Sequence, residues 1–377
     1  MVGFFVSIGL LIPTLPLYVR DLGGSPVDVG LVVGVFSFGV LVVRPVVGRL
    51  LDTRGRRVVL ILGSALAAVM APLYLWLTAV ALLVAVRVVH GVGLSAFTGG
   101  WVTMVTDLSP PERRTEFMGY LSAATTLAFA VGAPVGIEIA SRAGYPALFL
   151  TVSGTAVVSA ALAAALREPE RSSTAAQPEH YRAAISRRQV VVPAATLLLA
   201  TLTVGAVFAF LPILLEQRRP GDFSLFFIVH AVTSVIVRIM IARVAQTIGD
   251  RRMVWGGLVI HALGIASLPL IQGRGSMLGA AVLFGMGFAI LWPALYGLVA
   301  NDASEIARGM VLSFLLAAFD LGMGLGGLVS GPIVARAGIP ALMNGMAVVP
   351  IVALTFFLIG LGWRSEATAP QRVVVRS

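Results

Sequence analysis

Arg142-Ala143-Gly144-Tyr145-Pro146-Ala147-Leu148 recurs 194 positions later as Arg336-Ala337-Gly338-Ile339-Pro340-Ala341-Leu342, with six of the seven residues identical. The same offset carries Arg44, Arg49, Gly55 and Arg57 onto Arg238, Arg243, Gly249 and Arg251. It also carries Gly91-Val92-Gly93 onto Gly285-Met286-Gly287, and Arg114 onto Arg308. Composition alone explains such agreement poorly, so the chain reads as two copies of one unit, in parallel orientation.

The unit is membranous. The 377 residues are 58% hydrophobic and 12% charged, against about 45–50% and about 25% in soluble domains. Twelve apolar runs fall near 2–19, 27–47, 58–77, 80–105, 116–140, 146–166, 190–215, 223–245, 253–272, 276–300, 310–335 and 341–362. Each can cross about 30 Å of hydrocarbon as a helix. Only helices satisfy their own backbone groups there without closing a barrel, so the fold class is an all-α membrane protein with twelve transmembrane helices. The organisation is a six-helix half over 1–166, a linker over 167–188, a second half over 189–363 and a tail over 364–377. Ser25-Pro26-Val27-Asp28 and Ser109-Pro110-Pro111-Glu112 read as helix starts, each with a cap, a Pro and an acid. Span 1 has neither the basic leader nor the cleavage site of a signal peptide. Met1 lies 15 positions before Pro16, whereas Arg188 lies 24 before Pro212; this predicts a start placed late or a trimmed chain.

All 27 basic residues are Arg, and Cys is absent. Without Lys there is no P-loop and no Schiff base; without Cys there is no disulfide, thiolate metal site or Cys nucleophile. No His-Glu-x-x-His or Ser-His-Asp setting is visible, so the chain is not expected to be an enzyme and no cofactor or metal is expected. The net charge of +10 does not mark a nucleic-acid binder, because the Arg lie in the gaps between apolar runs. Eighteen fall in alternate gaps and the tail, six in the opposite gaps and three within spans. The positive-inside rule then places both termini in the cytoplasm.

Gly48-Arg49-Leu50-Leu51-Asp52-Thr53-Arg54-Gly55-Arg56-Arg57 resembles the loop 2–3 signature of the major facilitator superfamily, with Thr53 where the family carries a basic residue. The resemblance implies a gating loop at Gly48, Asp52, Gly55, Arg56 and Arg57, facing span 11. Gly48 would let helices approach closely, and Asp52 would face a helix N-terminus. Arg87-Val88-Val89-His90-Gly91-Val92-Gly93 resembles the family's Arg-x-x-x-Gly signature in span 4. Gly132-Ala133-Pro134-Val135-Gly136 resembles a worn form of the exporters' Gly-Pro signature in span 5, through Gly132, Pro134 and Gly136. Together they make the chain most like bacterial efflux permeases of that superfamily.

Asp320 lies about 11 residues inside span 11, near the midplane, where a carboxylate is a functional candidate by default. Arg87 sits roughly 12 Å deep and must face a partner or a wet cavity; His90 lies one turn further in. Asp320 is the expected proton site, with His90 next and Arg87 tuning the shared cavity; Glu138, His230 and His261 are weaker candidates. Asn and Gln are nearly missing from the spans, which disfavours a sugar site. Trp101, Thr196, Thr203, Trp292 and Tyr296 imply a sparsely polar, partly aromatic lining that suits an amphiphile. The expectation is a monomeric secondary transporter of the cytoplasmic membrane, exporting a small organic substrate against protons by alternating access. Its partners are that substrate, protons and the lipid bilayer, with no nucleic acid. The alternatives are proton-coupled uptake and a non-transporting sensor or scaffold.

Overall fold

The computed structural model describes residues 1–77, 79–110, 113–168, 185–219, 222–302 and 305–362. Among them are ten long helices: α1 Val2–Asp21, α2 Pro26–Arg54, α3 Arg56–Trp76, α4 Val80–Leu108, α5 Arg114–Ala165, α6 Arg188–Arg218, α7 Phe223–Ile248, α8 Asp250–Ser267, α9 Arg274–Asp302 and α10 Glu305–Leu361. All ten contain stretches long and apolar enough to cross a membrane. The linker and the tail fall largely outside the described residues.

Two helices are about twice the needed length. α5 has 52 residues and α10 has 57, and each is two helices meeting at a kink. The kinks are Gly144 (φ 79°) and Gly338 (φ 81°), the glycines of the repeated heptapeptide. Positive φ is open to Gly at no steric cost, and the Pro two residues on is already set for the first turn of a helix. The gaps expected near 141–145 and 336–340 therefore shrink to single residues. A second pair at the same offset, Gly55 (φ 95°) and Gly249 (φ 82°), precedes α3 and α8.

Ser25 caps α2 as expected. Its hydroxyl accepts from the Asp28 amide at 3.3 Å, and its own amide donates to the Asp28 carboxylate at 2.8 Å. Ser109 behaves differently: it closes α4, its amide donating to the Val105 carbonyl at 3.0 Å. Pro111 and Glu112 lie outside the described residues, and α5 begins at Arg114. Ser109 ends α4 because the residue before Pro is driven out of helical backbone, and beyond it the Arg113 amide donates to the Pro110 carbonyl at 2.9 Å.

Helices α1–α5 meet α6–α10 along three seams: α2 on α10, α5 on α7 and α1 on α6. Packing differs between the two ends of these seams. At one end a single apolar cluster runs through both groups, including Leu15, Tyr18, Phe149, Phe210, Leu214 and Leu342. There Arg20 of α1 also pairs with Glu216 of α6, and the Tyr145 hydroxyl donates to Asp21 at 2.7 Å. At the other end the core is divided. Val254, Leu295 and Phe357 cluster within α6–α10, while Phe4, Leu60 and Phe97 cluster within α1–α5. The α2–α10 seam is closed by glycines: a Cβ on Gly30 would lie 2.5 Å from the Gly327 carbonyl, and one on Gly34 would lie 2.6 Å from that of Gly324.

Candidate transport site

Three Arg lie in helix interiors, Arg44 on α2, Arg87 on α4 and Arg238 on α7, with one carboxylate at comparable depth among the described residues, Asp320 on α10. Arg44 takes the carboxylate. Its Nε donates to Asp320 Oδ2 at 3.0 Å and its Nη2 donates to the same oxygen, with side chains 29% and 13% exposed. The pair crosses the α2–α10 seam, joining groups 276 residues apart in sequence. Near it, Phe319 packs edge-on to Trp292 at 5.2 Å, and Trp292 lies 6.1 Å from Tyr296. These three partly buried rings pack on the apolar cluster of α6–α10.

The 194-residue offset turns this pair into a second one. Arg44 maps onto Arg238 and Asp320 onto Thr126, and Arg238 Nη1 donates to the Thr126 hydroxyl at 2.6 Å. That bond crosses the α5–α7 seam. The two seams thus carry equivalent bridges, one ionic and one with a neutral acceptor.

Arg87 does not approach Asp320. It is 5% exposed, lies 3.9 Å above the Phe36 ring and sits beside Tyr74. Its Nε and Nη1 have no hydrogen-bond partner among the described residues. His90 is wholly buried, with Nδ1 3.1 Å from the Tyr74 hydroxyl and its ring 5.9 Å from Phe36. In the second group the roles swap: His230 stands at the position of Phe36, Phe284 at that of His90, and their rings lie 5.4 Å apart. His and Phe exchange places in one packing pair, so both His occupy packing positions in this conformation. His261 is also buried, with Nε2 2.9 Å from the Thr203 hydroxyl.

The loop between α2 and α3 is held by groups that sequence reading missed. Arg56, 7% exposed, donates through Nε to Asp107 at 2.8 Å and through Nη1 to the Leu51 carbonyl at 3.1 Å. The Glu168 carboxylate accepts from the amides of Arg56 (2.6 Å) and Arg57 (2.9 Å), an anion seated on the positive end of α3. Arg57 also bonds the Ala164 carbonyl. The loop therefore ties α2, α3, α4 and the end of α5. Asp107→Asn should lower the melting temperature by the equivalent of about 2 kcal/mol, because Arg56 would keep its charge in a nearly closed site. Asp52→Asn should leave it unchanged in the same scan, since Asp52 is exposed and has no bonded partner among the described residues.

A profile of the Major Facilitator Superfamily matches residues 1–219 and, a second time, residues 194–375. The chain belongs to that superfamily. The uncharacterised MFS-type transporter YhhS of Escherichia coli (strain K12) is 27% identical over 386 residues, spanning 98% of this chain and 91% of that protein. The staphylopine export protein of Staphylococcus aureus (strain Mu50) is 24% identical, spanning 94% and 92%. The crystal structure of the nucleoside transporter NupG superposes with a TM-score of 0.78 at 14% identity, over 96% of this chain and 98% of the other. This superfamily member is a membrane transporter and not an enzyme.

Several residues that stand out in the sequence as site candidates take packing roles in this transporter. Gly132 and Gly136 press α5 onto α1: a Cβ there would lie 2.9 Å from Gly9 Cα and 2.3 Å from the Leu10 carbonyl. Pro134 lies half-buried between them. Thr196 and Thr203 are wholly buried, so neither lines an open cavity here; their hydroxyls bond the Val192 and Ala200 carbonyls at 2.8 and 2.6 Å. Trp101 stacks on Phe97 at 6.5 Å, with no partner for its Nε1 among the described residues. Gly48 has open space where a Cβ would sit, so close approach is not its role in this conformation. Arg44 and Asp107 are the partners of buried charges that sequence reading did not single out; the offset that pairs Arg44 with Arg238 and Asp320 with Thr126 was the signal for the first.

Proposed function

We propose that this protein is a proton-coupled exporter of a small amphiphilic organic molecule, working by alternating access as a monomer in the cytoplasmic membrane. The Arg44–Asp320 pair carries the reading. Moving a substrate uphill needs a group that changes charge at depth, and Arg cannot, because its pKa stays above about 12. A proton on Asp320 removes the charge that holds Arg44 across the seam, so proton binding and helix separation become one event. α5 and α10 each cross twice, giving twelve spans in two six-helix halves, 1–166 and 189–363, joined by 167–188. Both termini and the 364–377 tail lie in the cytoplasm. The undivided core then closes the outer end, the divided core opens the inner end, and the exposed Asp52 marks an open inner gate. The Trp292, Tyr296 and Phe319 rings suit the apolar part of the cargo.

The test is reconstitution of the full chain in vesicles loaded with a pH-sensitive dye. Orientation is fixed by labelling Gln217→Cys, on the outer side, and Arg49→Cys, on the inner side, in a chain without native Cys. An amphiphilic dye substrate should move opposite to protons. Movement in the same direction would make it a symporter, no movement would end the transport assignment, and labelling of position 217 only from inside would reverse the topology.

A further inference from the structure

The two seams carry equivalent bridges with unequal charge. On α2–α10 the guanidinium of Arg44 meets a carboxylate; on α5–α7 that of Arg238 meets the Thr126 hydroxyl. Among the described residues, Arg238 Nε is buried with no hydrogen-bond partner, and no carboxylate pairs with this side chain. His230, about two turns away on the same helix, is itself packed on Phe284. The described helix interiors thus hold three permanent cations, Arg44, Arg87 and Arg238, against one carboxylate. Glu138 sits at its segment's end, bound to Arg142. A guanidinium at this depth is costly unless an anion or water meets it. Arg87 is shut in beneath Phe36, whereas Arg238 is only half-buried and lies on the seam.

We propose that the transported molecule bears a carboxylate, received by Arg238 between α5 and α7, as Arg44 receives Asp320 between α2 and α10. The cargo supplies the anion that the second copy of the duplicated bridge lacks. A planar guanidinium with free donors in a fork matches a carboxylate in shape as well as charge. Carboxylate binding then ties α5 to α7, while protonation of Asp320 unties α2 from α10. The assignment rests on the transport reading above for the word cargo, but its test reads binding alone.

The probes are matched acids and amides: benzoate with benzamide, and 1-naphthoate with 1-naphthamide, added to the purified full-length protein during thermal unfolding. A ligand that binds the folded state raises the melting temperature. The acids should raise it and the amides should not. Arg238→Gln should abolish the response to the acids. Thr126→Asp places a fixed carboxylate against Arg238; it should raise the melting temperature of the ligand-free protein and weaken acid binding by about tenfold or more, which is about 1.4 kcal/mol. This second variant keeps the test alive if Arg238→Gln folds poorly. Equal shifts from acids and amides, a full acid response in Arg238→Gln, or no shift with either acid overturns the proposal. Acids that bind yet never cross vesicles would end the transport reading and leave the site. Neutral compounds that cross while acids neither bind nor compete would end the site and leave transport.

Discussion

Asp320→Asn should abolish accumulation against a gradient while leaving ligand binding and downhill exchange in place. Asn keeps the shape and an acceptor for Arg44 but cannot gain or lose a proton. A single proton charge moved across the membrane supplies about 2.3 kcal/mol per 100 mV, enough for a roughly fifty-fold gradient, and all of it is lost with the titrating group. Arg44→Gln should also uncouple, because Asp320 would then titrate without moving a helix. Each single variant should cost about 2 kcal/mol of stability, below the full penalty for breaking a buried pair because Arg44 remains partly exposed. The double variant should cost less than the two singles together, since neither charge is left alone. Uphill transport by reconstituted Asp320→Asn at the wild-type rate would move the coupling site elsewhere; His90 would be tested next, although it is wholly buried.

Gly34→Val should change which end of the protein is open. A Cβ at this position would stand 2.6 Å from the Gly324 carbonyl and 2.9 Å from the Leu328 amide, both backbone atoms that cannot step aside. The seam must part by the width of a methyl group or more, at a cost of about 1–3 kcal/mol. That cost falls on the conformation in which the α2–α10 seam is shut, and it corresponds to about a 5–150-fold shift in population. Cys residues placed singly at Ile213 and Val334, beside the Arg20–Glu216 end, should be labelled faster in the variant. Gly91→Val is the control: its Cβ would lie 2.2 Å from the Phe36 carbonyl, inside one helix group. It should lower the melting temperature and leave the labelling pattern unchanged. Equal labelling of Gly34→Val and wild type, with folding intact, would mean that this seam does not separate.

The apolar runs, the duplication and the positions of the turns were legible because each depends on chemistry local to the chain. A residue's transfer into lipid is nearly independent of its neighbours in space, so summing along the sequence finds the helices. Gly144, Gly338, Gly55 and Gly249 stand out in the sequence only as repeated residues; the structure adds that each takes a positive φ, which excludes most other residues. Ser109 shows the limit: the same Ser-Pro signal can close one helix or open the next, and the outcome depends on where α4 ends.

The partners of the buried charges were decided by the tertiary structure. The depth of Arg87 and Asp320 follows from counting residues along a helix axis. The direction each side chain faces does not, because it depends on how the helices are rotated and which seams close. Gly30 and Gly34 bring α2 against Gly324 and Gly327 of α10, and that contact, not proximity in sequence, delivers Arg44 to Asp320. In the sequence, Thr196 and Thr203 read as part of a sparsely polar lining that suits an amphiphile. Their own helix supplies each hydroxyl with a partner, the carbonyl three or four residues back, so they can be fully buried. Composition and periodicity therefore determined that this chain is a duplicated helical membrane protein with one deep carboxylate. Packing between helices determined which cation that carboxylate holds and left its counterpart, Arg238, without an anion among the described residues, because ion pairing at depth depends on distances of a few ångströms that no one-dimensional pattern encodes.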